Sequence, residues 1–268
     1  MAVSGRRGIA VPRSGHNRVK PAPFEYHAPT SVEEACSMLA SLEDAKILAG
    51  GQSLVPLLNF RLARPAHLID INRIPNLNRI YEQDGGVVVQ ALARQAEVED
   101  SKLVGQRCPL LGLAVRLVAH RVIRNRGTVC GSLAHADPAS ELPATLLVLN
   151  GHVVARSTRG TRIIPAADFF TSVFETTLAP DELVVEAWFP ASTGKYAIAE
   201  ESRRHGDFAL AGGVRYGDRL ALFGVAPTPV LADPKNPTSG LHPSGDLEAT
   251  PEFRLHLVQV VTDRLFPA

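Results

Sequence analysis

Two short stretches of small and polar residues hold most of the chemistry-bearing side chains of this sequence. One runs from Arg124 to Glu141 and combines the turn signal Asn125-Arg126-Gly127 with glycine, hydroxyls, a histidine and two acids. The other, AGGQSL at 49–54, directly follows the apolar pair Ile47-Leu48. Glycine reaches backbone angles that cost other residues energy, and small side chains let a ligand approach the backbone. Two such turns predict a site whose amides clasp one diphosphate from both sides.

On residue chemistry alone, this hypothesis competes with a structural one. The string AGGQS also fits a tight strand-to-helix turn, and 124–141 also fits an ordinary loop. The sequence has no GxGxxG after a strand, which disfavours a Rossmann site, and no GxxxxGK[ST], which removes a P-loop. It also lacks a GxSxG elbow, an HExxH pair and a dense run of metal-ligating side chains. We therefore predict no catalytic acid or base and no metal site.

Composition bounds the class of protein. A chain of 268 residues suits one large domain or two smaller ones. With 28 Lys and Arg against 27 Asp and Glu, no broad attraction to nucleic acid is expected. The apolar runs are too short to span a membrane, and three cysteines without a CxxC pair are too few for an iron–sulfur cluster. We expect a soluble, cytoplasmic protein with reduced thiols.

The predicted elements form an α+β pattern without regular βαβ alternation. Residues 1–19 are expected to be a disordered leader. A capping box, TSVE at 30–33 with Thr30 as the N-cap, predicts a helix over 31–42. Further along the chain the sequence predicts short strands at 46–49, 68–71 and 86–91, a helix over 110–123, a hairpin over 153–164 and a strand over 181–190.

A second unit is predicted from Lys195, after the linker 191–194. It contains a strand at 220–225, a proline-rich stretch and a terminal amphipathic helix. The apolar face of that helix is predicted to comprise Phe253, Leu257, Val260, Val261 and Leu265.

Several strings, in order, carry a family resemblance. AGGQSLVPLLNFRL at 49–62, LIDIN at 68–72 and TVCGSLAHADPASELPA at 128–144 closely resemble the FAD-binding medium subunits of molybdenum hydroxylases. These are the relatives of carbon monoxide dehydrogenase and xanthine dehydrogenase. The likeness continues through LAPDEL at 178–183 and RRHGDFA at 203–209, and also through DFF at 168–170, FGVAPTPV at 223–230 and PEFRLHL at 251–257. It covers nearly everything from Lys20 onward.

The resemblance implies a two-lobed FAD-binding domain of the vanillyl-alcohol-oxidase (PCMH) type over 20–190. A small α/β domain over 195–268 follows. It is shorter than its relatives between Val214 and Leu220 and between Leu231 and Asp246, so whether it docks over the flavin is left as a question. The resemblance further implies an electron-transfer subunit that holds FAD. We expect this FAD to be noncovalent, because no His or Cys lies in a motif linked to covalent flavin attachment. The subunit's partners would be a small [2Fe–2S] subunit and a large molybdopterin subunit, in a heterotrimer able to dimerise. A free-standing FAD oxidoreductase and a decayed assembly subunit are the alternatives.

The family roles carry over to individual positions of this sequence. One side of the diphosphate would be wrapped by Lys46, Ile47, Leu48, Ala49, Gly50, Gly51, Gln52, Ser53 and Leu54. Thr128, Gly131 and Ser132 would face it from the other side through backbone amides, with His135, Asp137 and Glu141 near the ribityl chain and adenosine. Leu183 and Val184 would pack at the isoalloxazine, which the segment containing Asp207 would border.

Some of these positions also have purely structural interpretations. His135 could satisfy a backbone carbonyl, Asp207 could cap a turn, and Lys46 could be a strand-edge lysine. Cys130 departs from the family, which usually has glycine there. If the site needs a positive φ, the side chain costs about 1–2 kcal/mol.

Overall fold

A computed structural model describes residues 20–267 of the chain. The expected leader over 1–19 lies outside these residues. Fourteen strands are present among them: β1 Glu25–His27, β2 Ala45–Leu48, β3 His67–Asp70, β4 Ile80–Gln83, β5 Gly86–Gln90, β6 His152–Ser157, β7 Gly160–Pro165, β8 Phe170–Ser172, β9 Glu175–Thr176, β10 Leu183–Pro190, β11 Tyr196–Glu201, β12 Ala211–Tyr216, β13 Arg219–Phe223 and β14 Val230–Ala232.

The same part of the chain contains ten α-helices: α1 Val32–Ser41, α2 Leu54–Asn59, α3 Gln95–Asp100, α4 Lys102–Arg107, α5 Pro109–Leu117, α6 Arg121–Arg124, α7 Val129–His135, α8 Glu141–Val148, α9 Ala166–Phe169 and α10 Pro251–Leu265. A 3-10 turn, Ile71–Arg73, follows β3. No helix of residues 20–267 is both long and apolar enough to cross a bilayer.

The strands of residues 20–267 form four sheets. A small parallel sheet has the order β1-β3-β2, a five-stranded antiparallel sheet has the order β4-β5-β10-β6-β7, and β8 pairs with β9 in a two-stranded antiparallel sheet. These three sheets and α1 to α9 make up the first part of the chain. A four-stranded antiparallel sheet, β11-β12-β13-β14, follows and carries α10. The predicted α+β class is confirmed, and so is the hairpin, in which β6 pairs with β7.

The last sheet is buried on both faces. Along β13, Ala221 and Phe223 belong to the main core, whereas Leu220 and Leu222 belong to a second core with α10. This alternation follows from the two-residue period of a strand. One face of the sheet contacts α8, so the C-terminal unit docks firmly on the first unit.

Three sequence predictions need correction. The N-cap of α1 is Ser31, whose hydroxyl accepts the Glu34 N–H at 3.1 Å, so the capping signal lies one residue later than predicted. The helix expected over 110–123 is divided into α5 and α6, because Ala119 adopts a positive φ of 43°. On α10, Phe253 is exposed; the buried face comprises Arg254, Leu257, Val258, Val261, Thr262 and Leu265.

Candidate cofactor site

The two stretches singled out in the sequence are in direct contact. Gly51 follows β2 with a φ of 74°, a conformation that favours glycine. A Cβ atom on Gly50 would lie 2.4 Å from the Arg126 carbonyl oxygen and 2.8 Å from Gly127 Cα. The first turn therefore packs against the second with no room for a side chain between them.

The first turn presents uncommitted backbone donors. The N–H groups of Gly51, Gln52 and Ser53 donate to no acceptor within residues 20–267. The Ser53 hydroxyl lies at the N-terminus of α2 and makes no capping bond. Successive free amides at a turn form a concavity suited to an anion. Lys46 is exposed on β2, while Ile47, Leu48, Ala49 and Leu54 are half-buried around this turn.

The second stretch is helical where a loop was the structural alternative. Thr128 is the N-cap of α7, and its hydroxyl accepts the Gly131 N–H at 3.0 Å. The Ser132 N–H donates to the Thr128 carbonyl at 3.1 Å. These two amides are thus engaged inside the helix cap. The Ser132 hydroxyl, 3.2 Å from the Ser140 hydroxyl, lies on the half-buried side of α7.

A polar clasp that the sequence analysis missed joins the two turns. The Asn72 side-chain amide donates to the Ala49 carbonyl at 2.8 Å, at the start of the first turn. The Arg94 guanidinium donates to Asn72 Oδ1 at 2.6 Å and to the Arg126 carbonyl at 2.7 Å, at the second turn. Asp70 orients Asn72 by accepting its side-chain amide at 2.6 Å. We call Asp70, Asn72 and Arg94 the turn clasp.

The chain beside Arg94 strengthens this junction. Arg94 and Thr128 form an isolated antiparallel bridge, and the Gln95 N–H donates to the Gly127 carbonyl at 2.8 Å. The Gln95 side-chain oxygen is buried against Gly127 and has no partner within residues 20–267. Two polar residues at the start of α3, soon after the buried strand β5, were the sequence signal that could have revealed Arg94 and Gln95.

His135 and Asp137 flank the C-terminus of α7. Ala136 between them is left-handed, with a φ of 52°, and its carbonyl accepts the Phe174 N–H at 3.2 Å. The His135 ring stacks on Phe174 with centroids 5.0 Å apart. Burial lowers the pKa of His135, which favours the neutral imidazole near pH 7. One oxygen of Asp137 accepts the Ala139 N–H at 2.9 Å and fixes the turn into α8.

Glu141 is the first residue of α8 and is buried. Its pKa is raised to about 8, first by burial and further by Glu200 and Asp137. Burial likewise raises the pKa of Glu200, on β11, to about 7. One Glu200 oxygen is buried without a hydrogen-bond partner in the described part of the chain. A protonated Glu141 can both donate and accept a hydrogen bond, which suits it to a ligand hydroxyl.

The remaining predicted residues lie farther along the chain. Leu183 and Val184 begin β10, which packs against α7, and both are buried in the main core. Asp207 is exposed, in a turn closed by its N–H donating to the Arg204 carbonyl at 3.0 Å. This turn rests on the first unit, because a Cβ atom on Gly206 would lie 2.5 Å from the His120 ring. His120 immediately precedes α6, which leads into the second turn.

A family model decides the class of this site. The family "FAD binding domain in molybdopterin dehydrogenase" matches residues 22–192, which include both turns and the turn clasp. The chain belongs to this family. It is a flavin-containing oxidoreductase subunit of the molybdenum hydroxylase type, and its cofactor is FAD.

Curated proteins and solved structures agree with this family. The chain is 48% identical over 198 residues to the alpha subunit of the 6-hydroxypseudooxynicotine dehydrogenase complex of Paenarthrobacter nicotinovorans, covering 72% of this chain and 67% of that protein. It is 42% identical over 221 residues to the carbon monoxide dehydrogenase medium chain of Hydrogenophaga pseudoflava, covering 78% and 77%. A solved carbon monoxide dehydrogenase from Hydrogenophaga pseudoflava, lacking the Mo-pyranopterin moiety, superposes with a TM-score of 0.86 at 35% identity, covering 91% of this chain and 96% of that one.

The residues present fit the cofactor that this molybdopterin dehydrogenase family binds. FAD carries a diphosphate, and three free amides and a free serine hydroxyl surround the Gly50-Gly51 turn. The close contact between Gly50 and Gly127 leaves no side chain to block backbone approach. A buried carboxyl at Glu141 suits a sugar hydroxyl. The donor set is therefore the one expected for a dinucleotide held by backbone and polar side chains.

Proposed function

We propose that this chain is the electron-transfer subunit of a heterotrimeric molybdenum hydroxylase. It accepts electrons from the [2Fe–2S] clusters of a small partner subunit and passes them to an external acceptor. A large molybdopterin subunit oxidises the substrate. The single observation that carries the proposal is the junction of the two turns, where free amides, touching glycines and the turn clasp build a dinucleotide site.

Different residues of the chain bind different parts of the cofactor. Gly51, Gln52 and Ser53 bind the diphosphate through their amides, and the Ser53 hydroxyl adds a fourth donor. Glu141 and Asp137 orient the sugar and adenosine end, while Leu183, Val184 and the 203–208 turn flank the isoalloxazine. Bound FAD supplies the redox chemistry, and the protein supplies its orientation and electrostatic environment.

The small number of cysteines in this chain supports electron entry from a partner subunit. Its three cysteines, Cys36, Cys108 and Cys130, are each buried and fewer than the four thiolates of an ordinary cluster. In addition, Phe60 and Leu62, just after α2, are each 76% exposed. Large exposed apolar side chains such as these are expected of a chain that a partner covers.

The test is anaerobic stopped-flow mixing of the FAD-loaded chain with substrate, with and without the co-expressed small and large subunits. We expect the flavin to bleach only when both partners are present. Bleaching by an organic substrate with this chain alone would establish a free-standing oxidoreductase instead. Failure to bleach with active partners present would refute the electron-transfer role, and a purified chain that cannot be loaded with FAD would indicate an assembly subunit.

A further inference from the structure

We propose that Glu25, His27 and His67 form a binding site for a divalent transition-metal ion of the zinc type. The site lies between β1 and β3, on the small parallel sheet, and is separate from the cofactor residues. Sequence patterns did not reveal this site, because His27 and His67 are 40 positions apart. Folding brings the three side chains together, contrary to the expectation of no such cluster.

Strand register places the three donors. β1 and β3 are parallel neighbours, with Glu25 opposite His67 and His27 opposite Ile69. Glu25 and His27 are two residues apart on one strand and therefore share a face. Tyr26, between them, hydrogen-bonds to Asp70 at 2.7 Å. Backbone pairing thus places the three residues side by side, and their side chains converge from neighbouring strands.

The distances suit one shared ion. His27 Nε2 lies 3.1 Å from His67 Nδ1, and Glu25 Oε2 lies 3.5 Å from the same Nδ1. One ligand atom from each of the three residues lies within 4.8 Å of the other two. Zinc–nitrogen bonds of about 2.0–2.1 Å in tetrahedral geometry place two ligand nitrogens about 3.3 Å apart. Small side-chain adjustments would therefore complete three bonds to one ion.

The donor set also selects the kind of ion. Two imidazoles and one carboxylate favour zinc and its transition-metal neighbours, whereas magnesium and calcium prefer oxygen ligands. Three protein ligands leave a fourth position for water. Access is open, because the Glu25 side chain is 75% exposed, while the His67 side chain, 19% exposed, is held in place. A bound ion would fasten β1 to the strand that ends at Asp70, the first member of the turn clasp.

The experiment is calorimetric titration of Zn²⁺ into the full-length, FAD-loaded chain after chelator treatment. We expect one saturable site, weakened at least 10-fold by His27→Gln and by His67→Gln, and less by Glu25→Gln. His242→Gln, at an exposed histidine elsewhere, is the matched control and should leave the site unchanged. Mg²⁺ in place of Zn²⁺ should give no saturable heat.

Cobalt provides a second readout that does not depend on stability. Co²⁺ bound by this donor set should give visible absorption bands that His67→Gln removes, while circular dichroism shows the fold of the variant to be intact. The proposal is overturned if the wild-type chain shows no saturable Zn²⁺ binding. It is also overturned if His27→Gln and His67→Gln both bind as tightly as wild type, or if His242→Gln loses as much affinity as they do.

Discussion

Cys130 illustrates how a residue's role depends on the element that contains it. The family usually has glycine at this position, which would matter if the backbone needed a positive φ there. Cys130 instead lies inside α7 and is not among the residues of positive φ. Its side chain is 2% exposed, and the thiol donates to the Val89 carbonyl at 3.3 Å. The cost of about 1–2 kcal/mol that a side chain would carry at a positive φ therefore does not apply to Cys130.

We predict that Cys130→Gly lowers the free energy of unfolding by about 2–3 kcal/mol. Glycine in a helix interior costs about 1 kcal/mol, and loss of the buried thiol adds the rest. Cys130→Ala, which keeps the helix propensity, should lose about 1 kcal/mol. Urea denaturation of both variants measures the two terms, and wild-type stability in Cys130→Gly would contradict the core position.

The two glycines of the first turn are constrained for different reasons, so we predict different effects when each is replaced by alanine. Gly50→Ala should reduce FAD affinity at least 10-fold, because its Cβ would collide with the Arg126 carbonyl and separate the turns. Gly51→Ala should cost about 1–2 kcal/mol of stability through its positive φ. Gly105→Ala is the control: it lies in α4 with open space around it and should stabilise by about 0.5–1 kcal/mol. Equal FAD affinity in all three would show that the diphosphate lies elsewhere.

At the scale of elements, the turn clasp explains how segments from four places in the sequence meet. β2 ends at the first turn, β3 leads to Asn72, α3 begins beside Arg94, and α6 leads to the second turn. Side-chain hydrogen bonds of 2.6–2.8 Å join the first turn to Asn72, Asn72 to Arg94, and Arg94 to the second turn. The cofactor turns are thereby held together by the protein itself, before any ligand contributes.

We predict that Arg94→Lys weakens FAD binding about 10-fold with little loss of global stability. Lysine keeps the positive charge but lacks the planar fork that reaches Asn72 and the Arg126 carbonyl together. Fluorescence titration of the apoprotein with FAD gives the affinity. Arg73→Lys, an exposed arginine in the adjacent 3-10 turn, is the control. An unchanged FAD affinity in Arg94→Lys would remove the clasp from the binding site.

Elements whose signals are local were predictable from the sequence. The hairpin of β6 and β7 and the glycine turn after β2 follow from alternation, apolar runs and turn residues. The break at Ala119 was not, because a left-handed alanine is imposed by its surroundings: the buried Arg124 guanidinium donates to the Val118 and Ala119 carbonyls. The turn clasp also escaped prediction, since the hydrogen bonds that connect it to the two turns and join Asn72 to Arg94 span 22 to 32 positions.

At the scale of the whole molecule, the double-sided C-terminal sheet couples the two units. Its main-core face contacts α8, the helix that begins with Glu141. From the sequence, docking of the second unit over the flavin was open because of its shortened segments. The contact with α8 could not be predicted, since the apolar residues of β13 alternate between two cores and neither core is visible in one strand. The result places Glu200 of the second unit near Glu141 of the first. Burial raises the pKa of both carboxyls, and Glu200 raises the pKa of Glu141 further.

The raised pKa values of these two carboxyls make the stability of the apoprotein depend on pH. The pKa of Glu141 rises from 4.5 to about 8, and that of Glu200 from 4.5 to about 7. Between the unfolded-state pKa of 4.5 and the folded-state values of about 7 and about 8, the folded state binds more protons than the unfolded state. The free energy of unfolding therefore falls as the pH rises from about 4.5 to about 8, and the stabilisation is fully present only below the unfolded-state pKa.

We predict that Glu141→Gln flattens this decline, because a neutral amide has no proton to lose on the folded side. Glu200→Gln should also reduce the slope, both by removing its own titration and by relieving Glu141 of a neighbouring charge. Urea denaturation at intervals from pH 5 to pH 8.5 measures the slope, and the FAD-free chain is used so that cofactor binding adds no pH dependence of its own. Glu252→Gln, at an exposed position on α10, should keep the wild-type slope. If the free energy of unfolding falls equally with pH in wild type, Glu141→Gln and Glu200→Gln, the prediction is wrong. That result would show that both carboxyls are ionised in the folded protein and that their burial does not couple the two units.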